Sequence, residues 1–337
     1  MKTRFFSFFM IVFFAIFCSS FAFAFGGADE NVVVVYAYDS FVAEWGPGPE
    51  IIKRFEEATG YKVEFFICED AGTVLSKAIL EKNSPQADVL VGIDNFLIQK
   101  ARRADVLTPY IPKNKNNITS ADLVFAKDYL LTPYDYGYFA FMYDTNSKIP
   151  APKSLKDLLK PEYKKSIVLM DPRISTPGLG FLMWTKAVFG KDYLNYWKKL
   201  DNSVLTITPG WSSGYNLFTA GEAPLVSSYT TSMAYHVKYD KTERYQALIF
   251  PEGHIRQIEG LGLVKNARNP KGAKAFIEFM LTKEVQQLLT ETQWMYPVAL
   301  KGNLPASFNK VKVPGKVLKI NDNPEEVLAE SVKFLLK

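Results

Sequence analysis

Three phrases in this chain put hydroxyl groups where a strand should hand over to a helix. They are Asp171-Pro172-Arg173-Ile174-Ser175-Thr176-Pro177-Gly178, Pro209-Gly210-Trp211-Ser212-Ser213 and Tyr229-Thr230-Thr231-Ser232. Helix starts carry free backbone N–H groups and a partial positive charge, so they hold anions such as phosphate. Interleaved with Trp and Tyr, they describe a cleft for a ligand that is aromatic or cationic at one end. Its other end would be phosphorylated or otherwise polar. Alone, Ser175-Thr176-Pro177 also reads as an ordinary N-cap with Pro in the first turn. Its recurrence as Thr231-Ser232 favours anion binding.

The aromatic side chains have two readings as well. Tyr36, Tyr38 and Trp45 surround a turn, Asp39 to Gly48, that is longer than a strand-to-helix link needs. Trp45 opens Trp-Gly-Pro-Gly-Pro and Trp211 follows Pro209-Gly210, both stiff ways to present an indole. Trp45 could instead plug a sheet edge. Tyr235 and Trp294 lie in helical surroundings, where aromatics often belong to the core. Asp70 ends a strand and either caps the next helix or faces a ligand's cation or amino group.

Catalysis has little support. His236 and His254 have no Cys or carboxylate at metal-ligand spacing, and no Gly-x-Ser-x-Gly turn, Walker lysine loop or Gly-x-Gly-x-x-Gly occurs. Cys68 next to Glu69 admits a nucleophile-and-base pair. A cysteine ending a buried strand is more often packing.

Elements that alternate strand and helix must position these groups. Val32 to Tyr38, Tyr61 to Ile67 and Ala87 to Ile93 read as buried strands, with helices from Pro49 to Gly60, Thr73 to Glu81 and about Asn95 to Ala104. This β-α-β-α-β order implies a parallel sheet with helices on both faces. Tyr134 to Tyr143 is a long aromatic strand with Gly137 inside it, suited to crossing between lobes. A second α/β unit follows, with a helix capped by Ser154 through Leu159, a strand from Ser166 to Met170, a helix from Gly178 to Gly190 and a strand from Ala223 to Tyr229. Leu248 to Val264 holds the return crossing, and Asn269-Pro270 opens a helix with Phe276, Ile277, Phe279 and Met280 inward. Ligands of open α/β sheets bind outside the carboxyl ends of the strands. Asp39, Asp70, Asp171 and Tyr229 all occupy such ends.

Lys2 and Arg4, the apolar run Phe5 to Phe17 and Ala22-Phe23-Ala24 read as a signal peptide over residues 1–24, with the mature chain starting at Phe25. Removing those two cations takes the net charge from +5 to +3, too balanced to imply nucleic acid. Of the two cysteines, Cys18 lies in the signal, where lipid anchoring is the lesser alternative to free secretion. Cys68 is left alone, so no internal disulfide forms. A monomer is expected.

Tyr38 to Phe41 with Trp45 to Pro49, Asp135 to Phe141, Asp171 to Gly180, Ser228 to Ser232 and Trp294 to Val298 together resemble the bacterial periplasmic thiamine-binding proteins, in order and over nearly the whole mature chain. The resemblance implies a type 2 periplasmic-binding-protein fold: two α/β lobes joined by two crossing segments, with the ligand cleft between them. Residues 25–134 plus 255–337 would form one lobe and 135–254 the other. It also implies an extracytoplasmic receptor in the periplasm. That receptor would take thiamine or its mono- or diphosphate, use no cofactor or metal, and serve an inner-membrane ABC permease and its ATPase. The family's ligand contacts fall on Asp70 and Ala71, Ser175 and Thr176, Trp211, Trp294, and on Tyr229, Thr230, Thr231, Ser232 and Met233. Tyr38, Trp45 and Tyr235 match its remaining aromatic cleft positions. Two departures stand out: Ala71-Gly72 replaces a single Gly, and Met233 replaces a common Pro. A thiaminase I-like enzyme with Cys68 as nucleophile, or a same-fold receptor for ferric ion or polyamine, are the rival readings.

Overall fold

The computed structural model describes residues 31–300, 302 and 304–335. The expected signal peptide, its Cys18 and the Phe25 start lie outside the described residues. Strands β1 (Val32–Tyr38), β2 (Lys62–Cys68), β3 (Val89–Asp94) and β4 (Leu107–Thr108) precede a long strand, β5 (Thr132–Asp144). After it come β6 (Ile167–Met170), β7 (Val204–Thr208), β8 (Leu225–Tyr229), β9 (Tyr245–Leu248), β10 (Arg256–Val264) and β11 (Tyr296–Pro297). The α-helices are α1 (Asp39–Val42), α2 (Gly48–Thr59), α3 (Ala71–Leu80), α4 (Ile98–Ala104), α5 (Thr176–Phe189), α6 (Tyr193–Leu200), α7 (Trp211–Thr219), α8 (Met233–Tyr235), α9 (Pro270–Met280), α10 (Lys283–Thr292) and α11 (Pro324–Leu335).

Local chemistry explains most boundaries. The β-branched run of β1 is buried on both faces along most of its length. Helix α2 has Pro49 in its first turn and stops at Gly60, whose φ of 78° is the left-handed conformation that glycine adopts freely. Asn269 caps α9 by accepting from Gly272 N–H at 2.8 Å, with Pro270 at the first helical position. Two expected helices differ. The Ser154 segment makes only 3-10 turns, Asp157–Leu159 and Pro161–Tyr163, because Lys160 before Pro161 is held extended. The helix expected from Asn95 starts at Ile98, because Asp94 Oδ1 accepts from the N–H groups of Phe96 and Leu97 and folds that stretch into a turn.

The sheet is mixed rather than wholly parallel, in the order β2-β1-β3-β10-β5-β8-β6-β7. The outer groups, β2-β1-β3 and β8-β6-β7, are parallel within themselves, while β10 and β5 run antiparallel between them. Strand β5 changes partners midway. Thr132 to Tyr138 pair with β10, and Phe139 to Tyr143 pair with β8. The two groups therefore meet on continuous backbone, and their carboxyl ends frame one cleft.

Candidate functional site

A cavity of about 220 Å³ opens at those carboxyl ends. Nine of the fourteen expected site residues line it: Tyr38, Trp45, Asp70, Thr176, Trp211, Tyr229, Ser232, Tyr235 and Trp294. Trp45 and Trp211 face each other across the cleft, with ring centres 6.2 Å apart and planes at 57°. Trp211 stacks on Tyr215 at 4.6 Å and 21°, and its indole N–H donates to Ser228 Oγ at 2.8 Å. At the far side Tyr235 and Trp294 meet edge to face at 5.8 Å. These geometries hold the rings against rotation while leaving faces toward the cavity.

The other five lie in the layer beneath. Ser175 is turned inward to cap α5, where its Oγ accepts from Gly178 N–H, and Ala71 is buried behind Asp70. Thr230, Thr231 and Met233 point away because Thr230–Ser232 is a 3-10 turn. In that geometry residues three apart share a side. Tyr229, Ser232 and Tyr235 therefore reach the cavity and the residues between them do not.

The anion site expected at the start of α5 already has an occupant. Asp70 Oδ1 accepts from Ala71 N–H at 2.7 Å and from Thr176 N–H at 3.0 Å, so one carboxylate oxygen closes the starts of both α3 and α5 across the cleft. Burial pushes the Asp70 carboxyl up to about 6, against the pull of those N–H groups. In this structure a carboxylate from the opposite wall satisfies the helix start at which Ser175 and Thr176 were expected to hold a ligand phosphate. Ser212 Oγ makes a second cross-cleft bond, to Asp39 Oδ1 at 3.0 Å.

Several lining residues were not singled out from the sequence. Tyr215, Asn216 and Thr219 form one face of α7 with Ser212, a spacing of three and four that was visible behind Trp211. His236 also lines the cavity. Its Nδ1 lies 2.6 Å from Asp240 Oδ2 and its Nε2 2.9 Å from the Tyr215 hydroxyl. Burial holds this imidazole below its ordinary value. His254 is structural, with one ring nitrogen 2.7 Å from Phe139 O and the other accepting from Phe250 N–H. Glu259, a lone acid in the apolar strand β10, is on the cavity floor, where its Oε2 accepts from the hydroxyls of Tyr38, at 2.7 Å, and Tyr134. Burial pushes Glu259 up to about 7.

Behind Thr176 the network continues. Gln257 Nε2 donates to Thr176 Oγ1 at 3.2 Å and to Asp94 Oδ2 at 2.9 Å. Asp94 is fully buried, and desolvation pushes it up to about 8. The folded chain thus holds a proton that the unfolded chain, with Asp near 3.8, releases. Stability from this group is present at low pH and lost as pH rises toward about 8. Asp94→Asn is therefore expected to raise the unfolding temperature at pH 8 by a few degrees, on the order of 2–4 °C per kcal/mol, and to change it much less at pH 4, close to the unfolded value. Thermal melts at both pH values check this.

Cys68 ends β2, is 6% exposed and does not line the cavity, and burial pushes its thiol up. Its neighbour Glu69 is exposed. A buried thiol held protonated is a poor nucleophile. Among the described residues no group of three or more His, Cys, Asp or Glu could hold a metal ion.

Comparison with known proteins agrees with this architecture. The family model of bacterial extracellular solute-binding proteins matches residues 84–322. A thiamine-binding periplasmic protein of Brucella abortus is 43% identical over 293 residues, 86% of each chain. That of Escherichia coli K12 is 38% identical over 309 residues, covering 89% of this chain and 90% of its own. A solved periplasmic thiamin binding protein superimposes with a TM-score of 0.83 at 37% identity, over 90% of this chain and 94% of its own. This chain belongs to the bacterial extracellular solute-binding proteins, in the family of the periplasmic thiamine-binding proteins.

Proposed function

We propose that this protein captures thiamine and its mono- and diphosphate in the periplasm and delivers them to an inner-membrane ABC permease and its ATPase. It acts by binding alone, as a monomer without a cofactor. One observation carries the reading: the cavity sets Trp45, Trp211, Tyr235 and Trp294 around buried Asp70 and Glu259, and among the described residues no Lys or Arg lines it. Such a site favours a flat organic cation. A cation over an aromatic face gains about 0.5–2 kcal/mol depending on desolvation. The thiazolium of thiamine is a permanent cation, and its aminopyrimidine is a flat ring that stacks. The polar face of α7, with Ser212, Asn216 and Thr219, takes the hydroxyethyl or phosphate tail. The ferric-ion and polyamine readings fit less well, since no Tyr-Tyr pair occurs and, among the described residues, only two carboxylates line the cavity.

Hinge closure completes the mechanism. Lobes of residues 25–134 plus 255–337 and of 135–254 rotate about β5 and β10, and the Asp70–Thr176 and Asp39–Ser212 contacts close over the ligand. The permease reads that closed form. Calorimetric titration of the mature protein with thiamine and its two phosphates tests the reading. Nanomolar binding, about −12 kcal/mol, is the expected result, and no heat with any of the three would overturn it. The thiaminase reading has its own check. Cys68→Ser is expected to leave thiamine affinity essentially unchanged, because the buried side chain does not line the cavity. Incubation with thiamine and an added nucleophile should yield no free pyrimidine by mass spectrometry.

A further inference from the structure

Two carboxylates face each other on the strands that join the outer sheet groups. Glu259 of β10 is the direct register partner of Asp135 of β5, so both side chains stand on the same face of the sheet. Asp135 is fully buried, and among the described residues neither of its oxygens has a hydrogen-bond partner and no basic group acts on the pair. Two adjacent carboxylates without a counter-ion do not both ionise, and the more enclosed one keeps the proton. Asp135 is that one, and burial and the Glu259 charge push it well above the usual range. When the pair ionises, Glu259 is therefore the one that carries the charge.

The Glu259 carboxylate is half used. Its Oε2 accepts from Tyr38 and Tyr134, while Oε1 takes part in no hydrogen bond among the described residues and is not enclosed. Tyr38 is itself held by Gln293 Nε2, next to Trp294. An acceptor fixed in this way in a cavity that Trp294 also lines is a seat for an N–H donor on a flat ring. Asp70, the other lining carboxylate, spends Oδ1 on two helix starts.

Resting on the thiamine reading above, we propose that Glu259 is the specificity-determining residue of the site. Its Oε1 accepts a hydrogen bond from the amino group of the ligand's heterocycle, and Asp135 stays protonated behind it. The other ionisable groups around Glu259 are Tyr38 on β1, Tyr134 on β5, Asp70 before α3, Asp94 at the end of β3 and Tyr229 on β8. All are acids, and only the Tyr38 and Tyr134 hydroxyls donate to Glu259, so an N–H donated to Oε1 adds to the few interactions that favour its ionised form.

The test is calorimetric titration of wild type and Glu259→Gln with thiamine and with the analogue whose ring amino group is replaced by oxygen. Wild type is expected to prefer thiamine by about 10- to 100-fold, the range for a hydrogen bond to a charged group. Glu259→Gln is expected to lose that preference by weakening thiamine and leaving the analogue within about threefold. An unchanged preference, or equal weakening of both ligands, would overturn the inference. A second readout needs no variant. Near pH 7, wild-type thiamine binding should release a proton from Glu259, so the measured heat should vary with the ionisation enthalpy of the buffer. No release between about pH 6 and 8 would also overturn the inference. Wild type binding neither compound would instead sink the thiamine reading, and this inference with it.

Discussion

Gly72→Ala is expected to weaken ligand binding by up to about 100-fold while leaving the unligated protein as stable as wild type. A Cβ at residue 72 would stand 2.3 Å from the carbonyl oxygen of Ile174, on the opposite wall of the cleft. The Cβ is fixed to the backbone and the oxygen is part of it, so neither can swing aside. The walls would have to stay apart by roughly an ångström, and overpacking of this kind costs about 1–3 kcal/mol. That cost falls only on the closed form, since opening the cleft removes the contact. The same opening breaks the Asp70–Thr176 bond, so the closed state loses on two counts. Gly315→Ala, where nothing lies within 4 Å, is the matched control. Calorimetry reads the affinity, and small-angle scattering should show that thiamine no longer contracts the variant. Wild-type affinity with full contraction would show that these walls do not need to meet.

Trp211→Ala is expected to cost on the order of 2–4 kcal/mol of binding, or roughly 30- to 1,000-fold in Kd. Trp211 does three things at once. It stacks on Tyr215, faces Trp45 across the cleft, and ties its indole N–H to Ser228, whose Oγ lies 2.8 Å from Ser232 Oγ. Truncation removes a cation-binding face and frees Tyr215 to turn. It also strips a partner from a buried serine pair. Trp45→Ala removes one face of an indole that is 47% exposed, so a smaller loss is expected there. Equal losses at the two positions would contradict the packing argument. Tryptophan fluorescence quenching on titration checks both variants with the same ligand.

Much of this arrangement was legible because its signals are local. Pro-Gly loops mark Trp45 and Trp211, Pro and Asn mark α9, and aspartates stand where apolar strands end. What stayed hidden depends on partners far along the chain. The start of α5 looked free for a ligand anion because its acceptor, Asp70, lies 106 residues earlier. Glu259 drew no notice because its tyrosines lie 221 and 125 residues away, and β10 alone reads as one more apolar crossing. A parallel sheet followed naturally from β-α-β order, yet the antiparallel strands in its middle are decided by long-range register. The turn from Tyr229 to Met233 reaches the cavity only in part, for a geometric reason. Sequence named five consecutive residues, and a 3-10 period admits only two of them to the cavity.

The strand order also sets a timetable for folding. Strands β1, β2 and β3 are made first, yet the open edge of β3 pairs with β10, which is synthesised some 160 residues later. Contacts so distant in sequence are slow to form, because loop closure precedes any gain from them. The early part of the chain therefore cannot complete its sheet until most of the polypeptide exists. For the periplasmic role proposed above, which requires passage through a membrane, such a delay would keep the chain threadable.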